Sequence, residues 1–262
     1  MSAVVSAQDR GVQPAAAPPS SQMPGVLQTV AFEQRLNQQL PLDLRFTDEH
    51  GAAVKLGDYF GTKPVVLALV YYECPMLCTQ VLNGLESALR VMTESVGDEF
   101  TVVTVSFDPR ETPVLALGKK QAYLDRYQRP HAEHGWHFLT GDQASIDALT
   151  RAVGFSYVWD EASQQFAHAS GIVVATPGGR LSRYFFGIDY APRDIKFALM
   201  ESTAGRIGSL ADQLLLYCYH YDPATGNYGF VAMRAVRIGG AVTLLVLAGF
   251  VVGALRRDHQ AR

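Results

Sequence analysis

The stretch PVVLALVYYECPMLCTQVLNGLESALRVM, Pro64 to Met92, carries three signals in succession. Pro64 to Tyr71 is an apolar run rich in valine and leucine, the pattern of a buried strand. Cys74 and Cys78 follow, and Leu77, Val81, Leu82, Leu85, Leu89 and Met92 then recur at three- and four-residue steps, predicting an amphipathic helix with Pro75 in its first turn. The order is strand, CxxxC, helix.

Cysteines at i and i+4 across a helix N-terminus lie one turn apart on one face, near enough to share a metal or to close a small ring. The unsatisfied N–H groups and the dipole at that end favour thiolate over thiol. Two thiolates with an imidazole make a soft, low-coordinate site suited to copper, whereas structural zinc wants a fourth ligand. A simple disulfide stays open on spacing alone. The usual dithiol-exchange spacing is CxxC, so the extra residue favours metal.

Downstream, the theme repeats. Thr101 to Phe107 reads as a strand, Pro113 to Gln128 as a helix capped near Thr112, Trp136 to Thr140 as a short strand, and Gln143 to Val153 as a helix starting after Asp142. Then the rhythm changes: Ile172 to Thr176 and Leu181 to Phe186 flank Pro177-Gly178-Gly179, a hairpin signal, and Pro192 to Thr203 closes the domain as a helix. Alternating β and α elements followed by ββα predict an α/β, thioredoxin-like layout over residues 41–205. Fold alone does not give function.

The 262 residues, 48% hydrophobic, suffice for one sizeable core. Lys+Arg 22 against Asp+Glu 25 gives a net charge of −3, which offers no basic field for nucleic acid. Three cysteines, Cys74, Cys78 and Cys218, are too few for a disulfide-stapled scaffold. Residues 1–40 are expected to be a flexible tether, because the Ala-, Pro-, Ser- and Gln-rich start (GVQPAAAPPSSQMPG) buries too little apolar area to offset its ordering entropy. Val5-Ser6-Ala7 resembles the small-residue end of a cleavage site, and a hydrophobic leader is expected upstream of Met1.

At the other end, Ile238 to Leu255 (IGGAVTLLVLAGFVVGAL) is uncharged and apolar on every face. At about 1.5 Å per residue such a run crosses most of a roughly 30 Å hydrocarbon core, so a transmembrane helix is expected over 236–255, with a membrane-proximal segment 206–235 before it and a short basic tail 256–262 after it. Arg234 and Arg237 on one side against Arg256, Arg257 and Arg262 on the other barely set an orientation.

Three ordered motifs together resemble the Sco/SenC family: Tyr71 to Cys78 (YYECPMLC), Val105 to Pro113 (VSFDPRETP), and Phe166 to Gly171 (FAHASG) ahead of the hairpin. The resemblance spans roughly Leu40 to Ala204. It implies a thioredoxin-like, membrane-tethered protein that binds copper, as Cu(I), Cu(II) or both, and helps assemble the dinuclear copper centre of cytochrome c oxidase. By motif, the implied copper ligands are Cys74, Cys78 and His168, with Asp108 near the site but off the metal. The implied partners are the copper-site subunit of the oxidase and other periplasmic copper carriers; the implied location is the bacterial inner membrane, with the soluble domain in the periplasm. Thr79 stands where many relatives have proline, and the apolar run is C-terminal where many carry it at the N-terminus. Thiol-exchange members of the fold place a cis-proline before the hairpin strand; Phe166 to Gly171 contains none. The rival reading is a thiol:disulfide oxidoreductase that reduces the oxidase's copper-site cysteines through Cys74 and Cys78; otherwise the protein is not an enzyme.

Two further groups stand out. His131, His134 and His137 recur at three-residue spacing, but Gly135 interrupts any helix there, and a solvated loop is expected. Cys218 and His220, in LYCYHYDP (Leu216 to Pro223), would face one way in an extended strand, as a secondary copper pair or as part of an aromatic anchor at the membrane interface.

A reporter fused after Arg262 is expected to read as cytoplasmic, and truncation before Arg234 to release a soluble, folded domain. A periplasmic reporter signal refutes this orientation; circular dichroism of the truncated chain checks its fold.

Overall fold

The structure, a computed structural model, describes residues 30–74 and 76–207, together with 221–222, 227–228, 240 and 243. Its centre is β3 (Val65–Val70), in which all six residues are buried. A strand that is apolar on both faces needs neighbours and cover on both sides. It runs parallel to β4 (Thr101–Ser106) and antiparallel to β8 (Gly171–Ala175), and the sheet extends to β5 (Trp136–Leu139) beyond β4 and to β9 (Leu181–Phe186) beyond β8. The order β5-β4-β3-β8-β9 joins a parallel half to a hairpin half. The fold is α/β and thioredoxin-like, as the alternation predicts.

The helices form where the sequence offers their ends. In α1 (Leu77–Val91) the stripe Val81, Leu82, Leu85 and Leu89 is buried. Thr112 caps α2 (Pro113–Tyr127), whose first residue is the expected proline. The Asp142 carboxylate accepts the Ser145 N–H at 2.7 Å to start α4 (Gln143–Val153), and Gly154, at φ 76°, ends it in the left-handed conformation. The last helix, α5 (Pro192–Thr203), packs against α1 and the hairpin strands. Within α1, Gly84 is required by close approach, since a Cβ there would run into the Ile188 carbonyl of the segment crossing the helix.

Four features differ from the sequence reading. A small hairpin, β1 (Arg45–Thr47) with β2 (Ala53–Lys55), precedes the sheet. A second hairpin, β6 (Tyr157–Asp160) with β7 (Gln165–His168), stands apart from it as its own two-stranded unit. Residues 30–40, placed in the tether on composition, lie against the domain: Phe32 packs edge-on against Phe155 and Tyr184, Leu40 is buried, and Gln39 bridges Arg180 beside β9. The expected histidine loop is a helical turn, α3 (Ala132–Gly135), running straight into β5, where His137 lies half-buried against Tyr59. Among the described residues no helix is long and apolar enough to cross a membrane; the run Ile238 to Leu255 lies, apart from Gly240 and Thr243, outside them.

Among the described residues, one ion pair is fully inside. Glu49, in the turn between β1 and β2, accepts from Lys120 of α2 and, at 3.0 Å, from the backbone N–H of Phe138 in β5. Burial alone would raise the Glu49 carboxyl, but Lys120 and the Phe138 amide outweigh it and hold the group below its ordinary value. Removing one partner strands a buried charge. Lys120→Met is therefore expected to lower unfolding free energy by about 3 kcal/mol in urea titrations, and adding Glu49→Gln to recover part of the loss.

Candidate metal centre

The sheet delivers three side chains to one end. Cys74 sits four residues beyond β3, Cys78 in the first turn of α1, and His168 at the end of β7, beside the start of β8. Their ligand atoms lie within 4.8 Å of one another, and all three residues are buried. The sequence-predicted trio thus meets in space although 90 residues separate Cys78 from His168. Among the described residues it is the one such group of three.

Hydrogen bonds fix the details. The Cys78 N–H donates to Cys74 Sγ at 3.2 Å, and the Tyr71 N–H to Cys78 Sγ at 3.3 Å. Cys78 Sγ and His168 Nε2 are 3.1 Å apart. Since a carbonyl can only accept, the 2.7 Å contact between His168 Nδ1 and the Ala169 oxygen puts the proton on Nδ1 and leaves the Nε2 lone pair facing the sulfurs. The ring is held edge-on by Tyr71 and Phe107, at 5.9 and 5.2 Å between centroids.

The two thiols differ. Hydrogen bonding with the Cys78 side chain outweighs burial and, with the N–H groups of Cys78 and Met76, brings the Cys74 thiol down to about 3. Burial, and after it the neighbouring Cys74 sulfur, push the Cys78 thiol up. No disulfide joins the two sulfurs in this arrangement. A thiolate, a thiol and an imidazole lone pair pointing inward form a soft donor set, and their chemistry fits copper.

The turn after β4 braces both sides of the centre. Glu111 accepts the N–H groups of Tyr72 and Glu73 at 2.8 and 2.7 Å, and the Ser106 hydroxyl. This ties down the loop that presents Cys74, a role for Glu111 that sequence reasoning missed. Burial is the largest influence on the Glu111 carboxyl and raises it despite those donors. Asp108 contributes no atom to the sulfur–imidazole group: its carboxylate takes a two-pronged contact from Arg110, at 2.8 and 2.7 Å, and lines a cavity of about 600 Å³ with Tyr71, Glu73 and Trp159.

The other candidates lie elsewhere. His131 pairs with Asp98 at 2.8 Å, and His137 lies 4.0 Å from Glu49 at the far side of the sheet. His131, His134 and His137 do not form a metal-holding group. Cys218 and His220 fall outside the described residues.

The profile of the SCO1/SenC family matches residues 33–201. No curated protein matches the chain. Among solved structures, it is similar to a protein from Aquifex aeolicus VF5 (23% identity, TM-score 0.58, covering 65% of this chain and 95% of that one). It is also similar to a SCO1/SenC family lipoprotein from Bacillus anthracis str. Ames (18%, 0.52, 66% and 99%) and to Arabidopsis thaliana ScoI with copper bound (17%, 0.50, 62% and 96%). These likenesses show the shared fold.

Replacing Glu111 leaves the backbone amides of Tyr72 and Glu73 without this acceptor. Glu111→Ala is expected to cost about 2–3 kcal/mol in thermal or urea unfolding and to speed hydrogen exchange at Tyr72 and Glu73. Unchanged exchange there would remove Glu111 from the loop's support.

Proposed function

Because the chain belongs to the SCO1/SenC family, we propose that it is a copper metallochaperone for the dinuclear copper centre of cytochrome c oxidase, with Cys74, Cys78 and His168 as its copper ligands. The observation that carries this reading is the convergence of two sulfurs and an imidazole nitrogen within 4.8 Å. The copper-bound state named for the Arabidopsis thaliana protein agrees with it. Cu(I) is the cargo. It loads as the Cys78 proton leaves, and passes on by ligand exchange, each sulfur released as an acceptor sulfur binds, without net electron transfer. The copper-site subunit of the oxidase is the proposed recipient, and other periplasmic copper carriers are proposed donors. Ile238 to Leu255 is the proposed anchor in the bacterial inner membrane, holding the domain in the periplasm and confining its search to two dimensions.

One observation favours a second reading. The unequal sulfurs suit thiol–disulfide exchange, with the Cys74 thiolate attacking an acceptor disulfide and Cys78 resolving the mixed disulfide. Two electrons and the Cys78 proton would pass to the acceptor, its second proton coming from solvent, as Cys74 and Cys78 became a disulfide. His168 would be dispensable to that chemistry.

His168→Ala separates the two. Competition with a Cu(I) chelator is expected to show affinity reduced on the order of a hundredfold, while exchange by the cysteines survives. The control is His220→Ala, expected to leave the main site unchanged. Unchanged affinity in His168→Ala with a loss in His220→Ala would overturn the ligand assignment.

A further inference from the structure

His168 is carried by a hairpin that has no strand neighbour. Among the described residues β6 and β7 pair only with each other, so side-chain contacts must set where the hairpin lies. Its register places Tyr157 opposite His168 and Trp159 opposite Phe166. Directly paired residues share a face, as do residues two apart, so these four side chains form a single row.

The inner end of the row meets the sheet: Phe107 contacts Tyr157 at 4.6 Å and His168 at 5.2 Å between centroids. At the outer end lies Arg110, whose guanidinium carbon is 4.8 Å from the Trp159 ring centre and 5.5 Å from that of Phe166. That guanidinium is anchored through Asp108, which is buried and receives the Arg110 backbone N–H at 3.0 Å as well as its side chain. Asp108 is in turn fixed by its own N–H on Ser106 Oγ, at the end of β4.

We infer that Arg110 is a positioning residue for His168, latching the outer half of the β6–β7 hairpin onto the rigid turn after β4 and so holding the imidazole over the two sulfurs. The chain of contacts runs from β4 through Ser106, Asp108 and Arg110 to Trp159 and Phe166, and two residues further along the same face to His168. Cation–aromatic contacts of this kind need the charge, so a neutral side chain of similar length loosens the latch while leaving the aromatic row intact. The copper part of the inference rests on the ligand set proposed above; the positional part does not.

The test uses the full chain, metal-free and then titrated with Cu(I). In the metal-free state, ring currents from Tyr71 and Phe107 shift the His168 ring protons, and NMR of the histidine-labelled protein reports the ring's position. Arg110→Gln is expected to move those resonances toward solvent-exposed values and to weaken Cu(I) binding about tenfold, because the binding-competent arrangement is less populated. Arg110→Lys keeps the cation and is expected to restore most of both. In a His168→Ala background, Arg110→Gln is expected to add no further loss, since its effect passes through the imidazole. Unchanged His168 resonances in Arg110→Gln overturn the latch, as does a loss of affinity that is the same with and without His168. Resonances that respond to Arg110, with copper affinity indifferent to His168→Ala, uphold the latch and defeat the ligand assignment instead.

Discussion

The architecture depends on the burial of β3. Because all six of its residues are enclosed, β3 must lie mid-sheet with a partner on each side, and its end must emerge where the neighbouring strands also end. Parallel pairing with β4 brings the turn containing Asp108 and Glu111 alongside the cysteine loop, and antiparallel pairing with β8 brings in His168, three residues before β8 begins. The two cysteines and His168 converge because one apolar strand has no freedom to lie elsewhere.

Around that end the protein combines rigid and adjustable support. The cysteines have a stiff mounting, with one at a helix start and the other on a loop fastened by two backbone N–H hydrogen bonds to Glu111. The imidazole is mounted on a hairpin held by aromatic rings and one arginine. Aromatic contacts tolerate sliding more readily than hydrogen-bond ladders do, so the histidine side of the centre is the more adjustable side. The buried Glu49–Lys120 pair ties the first hairpin to α2 and β5 and contributes no atom to the centre.

What the sequence made legible was local. Val65–Val70, the stripe of α1, the caps at Thr112 and Asp142 and the hairpin glycines all act within a few residues, and the helices from Gln143 and Pro192 end where the pattern ends. The pairing of His168 with the cysteines came from ordered motifs, since no spacing rule reaches across 90 residues. Long-range partners left no local mark: the lysine that pairs with Glu49 lies 71 positions away. The β6–β7 hairpin escaped because its residues are mostly half-buried and carry no strong alternation. Residues 30–40 escaped because a few well-placed side chains, Phe32 and Leu40 among them, attach a segment whose average composition is polar.

That attached segment changes how the sheet meets other molecules. Along β9, the Asn37 N–H donates to the Leu181 carbonyl at 2.8 Å and the Leu181 N–H to Gln38 at 3.0 Å. On the opposite side, Thr47 and Thr140 exchange bonds of 2.7 and 2.9 Å just past β5. An open strand border is a template onto which foreign backbone can add, and here the chain's own backbone occupies part of each border. Recruitment of an extended peptide as an extra strand is obstructed on both flanks, as is runaway stacking of one copy on the next. At those positions, contact with another protein is left to side chains and loops.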